Sequence, residues 1–390
     1  MELDRIPEIT KYLSVIFLFV WIGRSTVWSF LPIYFERQVA SVFLVGLMTS
    51  LPAAIPIVLD IPIGNLVQRA GERSVLFSGL IISMLPPLLY LSAMPALLVL
   101  GKVSEGLTIG LVWNAGWSLN MKAAEDEVES ESISVFFLGM NLAIIIGPII
   151  GGYLIAARGF RLPMLLWIFT TVLGILIYYV YVGIGSSESF MSSFKDLERR
   201  QTYVDDWHHL RDNWTDLRPA LGLVFLYSMI FSFYWLAVPL LLERQDATFP
   251  EMGLVFGLAL VPKLFQFFFG TLADRFGSLR ILTVMALPLS VLLLLLSHFT
   301  GLLAIAGLFL AARTLSGGMS PPIHAYFDSK VPDELEGELT GFMELFKHTG
   351  QAIGPVAAGA ISQAYSVQSS FLFASGIAIV IAVTSFSISD

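Results

Sequence analysis

Unbroken apolar runs of about 20 residues recur from one end of this chain to the other, and each is as long as a helix needs to be to cross a bilayer. They fall near 12–35, 41–66, 74–93, 95–121, 132–156, 163–184, 219–242, 250–273, 279–298, 301–327, 338–363 and 367–388. With 56% of the 390 residues hydrophobic and 13% charged, no water-soluble core could hide them all. A transmembrane barrel is excluded because it needs short alternating segments, not continuous runs. The first run is too long for a removable signal peptide, holds Arg24 at its middle and lacks a small-residue cleavage pattern, so it is expected to stay in place. The absence of cysteine removes disulfides, thiolate metal sites and cysteine nucleophiles. The net charge of -8, concentrated in loops such as 125–131, argues against a nucleic-acid partner.

Lys and Arg in the short loops set the expected orientation. With the amino terminus inside, the outer loops carry only Arg37, Arg158, Arg161 and Arg244, and the remaining loop cations are inside. Both termini are therefore expected in the cytoplasm of a plasma-membrane protein. The chain also repeats itself. Glu36-Arg37-Gln38 returns as Glu243-Arg244-Gln245, and Pro32, Gly46, Gly147 and Pro148 return as Pro239, Gly253, Gly354 and Pro355 in the same register. Matched residues at matched spacing point to duplication of a six-span unit. The expected organisation is a bundle over 1–184, a linker over 185–218 and a second bundle over 219–390. Phe190, Phe194, Leu197, Val204, Trp207, Leu210, Trp214 and Leu217 give the linker an apolar face suited to the inner membrane surface.

Gly270-Thr-Leu-Ala-Asp274-Arg275-Phe-Gly277 resembles the signature loop of the major facilitator superfamily, and Gly64, Gln68, Arg69 and Gly71 form a first-half copy in which Gln68 stands where the acid belongs. Gly139, Gly147, Pro148, Gly151 and Gly152 resemble the fifth-span motif of that family's antiporters, with a looser counterpart at Gly350, Gly354, Pro355 and Gly359. Lys102-x-x-Glu105-Gly106 stands at the fourth-span motif, answered by Arg313-x-x-x-Gly317. The resemblance implies an all-α integral membrane protein of 12 helices in two pseudo-symmetric bundles, working as a monomer without cofactor or metal. It further implies that the signature loop stabilises an outward-facing state and that spans 1, 4, 7 and 10 line a central cavity. Physically, Gly270 is expected to permit close helix approach, Gly277 to supply turn geometry, and Asp274 to meet a helix N-terminus.

Ionisable groups inside spans are costly and mark pathways or partners. Arg24, Lys263 and Glu344 are private to one half, whereas Lys102 and Arg313 occupy corresponding places. Arg24 and Arg313 are expected to attract an anionic group on a small organic substrate, with Lys263 and Asn141 in support. Pairing with Glu105 or another acid is the alternative for each arginine, more so for Arg313. Trp28, Trp113, Tyr227, Phe231, Tyr234 and Trp235 are candidates for an aromatic wall suited to an amphiphile, although packing explains any one of them equally well. Glu105, Glu344 and His348 are the candidate proton carriers, against plain salt pairs with Lys102 and Lys347. The expected activity is proton-coupled export of an amphipathic or anionic solute. Uptake of an organic anion by symport is the rival, and a non-transporting receptor or scaffold is the rival from another class. No catalytic motif or nucleotide-binding loop supports an enzyme or an ATP-driven pump.

Overall fold

The computed structural model describes residues 5–124, 128–184, 208–332 and 335–389, and the long elements among them are all helical. Residues 125–127 of the acidic loop and 185–207 of the amphipathic linker lie outside the described residues. Among the described residues, ten helices are long and apolar enough to cross a membrane. Eleven qualify when Glu8–Trp28 (α1) and Leu31–Val39 (α2), bent by 47°, are taken as one span. Glu336–Ala364 supplies the twelfth. Its 29 residues rise about 43 Å at about 1.5 Å per residue, and Glu344 and Lys347 keep its hydropathy below that of the others.

Two compact units emerge, and each takes in a short segment numbered in the other half. The first comprises Met1–Tyr34, Ile55–Glu198 and Thr248–Gly257. It contains α1, the later part of Val42–Ala70 (α3), Glu72–Ile82 (α4), Leu85–Tyr90 (α5), Pro95–Ala123 (α6), Glu129–Arg158 (α7) and Arg161–Tyr181 (α8). Here α1 packs against both α7 and α8. Leu13, Ile16, Phe17 and Val20 of α1 join Leu111, Ala115, Phe136 and Met140 in its buried core.

The second unit comprises Phe35–Ala54, Arg199–Ala247 and Leu258–Asp390. Its helices are Trp214–Glu243 (α9), the end of Phe249–Leu260 (α10), Gln266–Phe276 (α11), Ser278–Leu296 (α12), Leu302–Gly318 (α13), Ser320–Asp328 (α14), Glu336–Ala364 (α15) and Val367–Ser389 (α16). A 3-10 turn, Val261–Phe265, separates α10 from α11. Pro262 at its start has no N–H to continue the α-helical ladder, which accounts for the break inside a span that the hydropathy alone draws as continuous. Within this unit α9 packs on α15 and α12 on α16.

The residues that keep the register of the repeat are contact residues. A Cβ on Gly147 would fall on Ser25 of α1, and one on Gly354 would fall on Ser232 of α9, the matching position under the same shift. Gly253 lies against the Pro148 carbonyl in the first unit, and Gly46 against the Pro355 carbonyl in the second. The Glu-Arg-Gln tripeptides also meet. Arg37 donates to Glu243 at 2.7 Å, and Arg244 donates to Glu36 at 3.2 Å, both pairs within the second unit.

At Gly151 a side chain would land on the backbone carbonyl of Thr26, which cannot rotate away. Gly151→Val is therefore expected to push α7 off α1 and to cost about 1–3 kcal/mol or more through overpacking. A lowered melting temperature in detergent checks this, and an unchanged one would show that the two helices do not need this approach.

Candidate functional site

The fourth-span motif builds the centre of the first unit. Lys102 and Glu105 stand three residues apart on α6, so they share one helix face. Lys102 Nζ donates to Glu105 Oε2 at 2.8 Å. From α1, Arg24 Nε and Nη2 donate to Glu105 Oε1 at 3.1 and 2.7 Å. From α5, the Tyr90 hydroxyl donates to Oε2 at 2.8 Å. Gly101 leaves the space that the Tyr90 ring fills, since a Cβ there would fall on that ring. Lys102 and Glu105 are 2% and 1% exposed and Arg24 8%, so two cations and one acid form a dry, hydrogen-bonded knot. Trp21 and Trp28 cover the Arg24 guanidinium at 4.5 and 5.1 Å from their ring centres. A cavity beside this knot is lined by Trp21, Arg24, Glu105, Trp113 and Trp167. Trp113 also packs on Phe136 and Phe137, and the Asn141 side-chain oxygen on α7 is buried without a hydrogen-bond partner.

The corresponding place in the second unit has the opposite character. Aligning the motif on Gly106 and Gly317 sets Lys102 against Arg313 and Glu105 against Ser316, and the shift that sets Arg24 against Phe231 sets Glu105 against Ala312, so in either register the acid is missing from this copy. Arg313, on α13, is 6% exposed. Phe231 occupies the position that Arg24 holds in the first half, and its ring centre lies 4.7 Å from the Arg313 guanidinium. Tyr234 and Trp235 complete the wall at 5.4 and 5.6 Å, and the Tyr227 ring packs at a tilt on Phe231 along the same face of α9. Arg313 Nη1 is buried and has no hydrogen-bond partner, and no ion pair reaches Arg313 among the described residues. Acid pairing was the alternative for both arginines and stronger for Arg313. It is Arg24 that has the acid.

Lys263 stands in the 3-10 turn beside α13, where it experiences the positive charge of Arg313 and of Lys347. Glu344 and Lys347 form a half-exposed pair on α15, with contacts of 2.6 and 2.9 Å, and His348 Nε2 lies 3.9 Å from Glu344. His324 on α14 is a further charge neighbour of Glu344 and Lys347 that the sequence reading did not single out.

The signature loops are placed differently from one another. Gly71 and Gly277 sit at φ 81° and 92°, the turn geometry expected of them. The expectation of close helix approach at Gly270 does not hold. A Cβ there would meet only Pro321, at an ordinary 3.8 Å, and one at Gly64 would meet nothing within 4 Å. The motif glycines that bring helices together are those of the fifth span and its counterpart. Asp274, Arg275, Gln68 and Arg69 are exposed, and Arg275 lies over the Phe276 ring. Glu72, one turn beyond Gln68, accepts from Lys122 at 2.5 Å and from Ser118 at 3.2 Å, which ties the first-half loop to α6 although its motif lacks the acid. Tyr90 and Glu72, like His324 and Trp21, are site residues that the sequence reading missed. Tyr90 and Glu72 act across adjacent spans, where spacing along the chain carries no signal.

With this geometry in place, the comparisons are informative. The family model described as the Major Facilitator Superfamily matches residues 13–219 and 220–389, and the chain belongs to that family of membrane transporters. It is similar to YuxJ of Bacillus subtilis, an uncharacterized MFS-type transporter, at 26% identity over 69% of this chain and 68% of that protein. It is similar also to the quinolone resistance protein NorA of Staphylococcus aureus, at 22% identity over 90% and 88% of the two chains. Among solved structures, a bacterial homolog of the human lysosomal transporter Spinster superposes with a TM-score of 0.77 over 97% of this chain and 95% of that one, at 12% identity. This last likeness speaks to the fold alone.

Proposed function

We propose that this transporter moves a small amphipathic organic anion by alternating access and exports it in exchange for protons. The observation that carries this reading is Arg313, a buried guanidinium with an unsatisfied Nη1, walled by three aromatic rings and lacking an acid among the described residues. Such a group suits a carboxylate or phosphate head whose apolar body lies on Phe231, Tyr234 and Trp235, with Tyr227 behind them. Within the first unit Trp28, Trp113 and Asn141 are the candidate solute contacts, and Arg24 is held by Glu105 as part of the scaffold. The relation to NorA supports the direction of export. Uptake by symport is the second reading, favoured by the excess of cations around Arg313. The protein is read as a monomer of the plasma membrane with both termini cytoplasmic, and loops at Asp274 and Gln68 act in the conformational cycle.

Coupling falls to Glu344 with His348, because this acid is half-exposed and a proton can reach it. Reconstitution into vesicles with anionic, amphipathic and cationic solutes, with and without an imposed pH gradient, tests the proposal. The expected result is uphill movement of the anionic amphiphile only when the gradient is present. In Glu344→Gln, uphill transport is expected to vanish while exchange of solute for solute persists. Full uphill transport by that variant would remove Glu344 from the coupling path.

A further inference from the structure

Among the described residues, the spans of the second unit carry the cations Arg313, Lys263 and Lys347, and of these Lys347 alone has an acid, Glu344. Lys263 has no hydrogen bond or ion pair among the described residues, and the charges it experiences are the two cations Arg313 and Lys347. The first unit answers its own buried cations with Glu105, so the chain has the means to neutralise charge inside the bilayer and here does not use it. Two cations held close without an acid are costly, and a bound anion would relieve both at once.

Their placement is fixed by the fold. The 3-10 turn that holds Lys263 packs against α13, which holds Arg313. One turn after Lys263, the Gln266 amide Nε2 donates to the Gly317 carbonyl of α13 at 3.1 Å, pinning the break to the helix that bears the arginine. Interrupted spans place charged groups and freed backbone polar groups at transporter binding sites. On this segment Phe265, Phe267 and Phe268 are exposed, whereas Lys263 is half-buried.

We propose that Arg313 and Lys263 form a two-point clamp for a doubly charged anionic headgroup, such as a dicarboxylate or a phosphate monoester, carried on an apolar body. This rests on reading Arg313 as the anion receptor and adds the charge of the substrate. The guanidinium takes two oxygens of the head in its fork, and the lysine ammonium, a compact point charge, meets the second negative charge.

Two matched probes separate the clamp from a simple anion site. Octyl phosphate is largely a dianion at pH 7, above its second pKa of about 6, and octyl sulfate is a monoanion with the same chain and a similar tetrahedral head. Equilibrium binding is measured at pH 7 below the critical micelle concentrations, on full-length protein in nanodiscs of neutral lipid. Wild type is expected to prefer octyl phosphate by about tenfold. Lys263→Gln is expected to collapse that preference to about one, and Lys263→Arg, which keeps the charge, to retain it. Arg313→Gln is expected to weaken both probes. Equal affinities in wild type, or a preference that survives in Lys263→Gln, would overturn the clamp while leaving the anion site at Arg313 standing. Failure of wild type to bind either probe would overturn the anion reading and the clamp with it.

Discussion

Glu105→Ala is expected to lower the stability of the protein by about 3–5 kcal/mol, the cost of leaving buried charges without their partner. Its carboxylate accepts from Arg24 and Lys102 and from the Tyr90 hydroxyl, all at buried positions. Removing it strands two cations side by side on α1 and α6. Replacing the whole set, as Arg24→Met with Lys102→Met and Glu105→Leu, removes charge and partner together and is expected to restore most of the loss, since well-packed apolar substitutes for buried ion pairs are often neutral or better. Thermal unfolding in detergent, followed by intrinsic fluorescence, reads both variants. A single alanine variant as stable as wild type would mean that water or lipid headgroups reach the knot and compensate it. A triple variant no better than the single one would mean that the set is kept for a reason other than charge balance.

Arg313→Gln is expected to reduce transport of an amphipathic organic anion by about 100-fold, in line with the 2–5 kcal/mol typical of truncating one member of a buried charge pair. The protein itself is expected to fold as well as wild type, because no acid among the described residues depends on Arg313 and its aromatic neighbours can close over a glutamine. This combination, lost transport with kept stability, is the mirror image of the expectation at Glu105. The contrast follows from the acid Glu105 of the first half, which has no acidic counterpart at Ala312 or Ser316 in the second. A transport rate in Arg313→Gln within a few-fold of wild type would contradict the role given to the arginine.

The helical spans and the doubling were legible in the sequence because both leave a pattern along the chain: apolar length for the spans, register for the doubling. The register carried more than was read from it. Glu36-Arg37 and Glu243-Arg244 were matched as copies, and the structure adds that the copies pair with each other. Gly147 with Ser25 and Gly354 with Ser232 likewise turn a repeat of letters into a repeat of contacts. Hydropathy could not see the bend between α1 and α2 or the 3-10 turn at Val261–Phe265, because a broken span is as apolar as a straight one.

The candidate site was legible as a set of residues and not as an arrangement. Arg24, Glu105 and Arg313 stood out as charges in spans, but which arginine meets the acid depends on which helix faces α6. Tyr90 was invisible for the same reason, since its link to Glu105 is made where α5 folds back against α6. At Gly270 the family resemblance supplied a role that local geometry does not repeat, because the neighbouring Pro321 stands an ordinary contact distance away.

The central claim is that the two halves have divided the work, with the first closing its charges on themselves and the second keeping a buried cation without an acid, for an anion to meet. The most direct measurement is the dissociation constant of one amphipathic organic monoanion for purified wild type and for Arg313→Gln, with folding verified by the melting temperature. The account predicts that affinity falls about 100-fold in the variant while its melting temperature stays near that of wild type. An unchanged dissociation constant in a folded Arg313→Gln protein would contradict it.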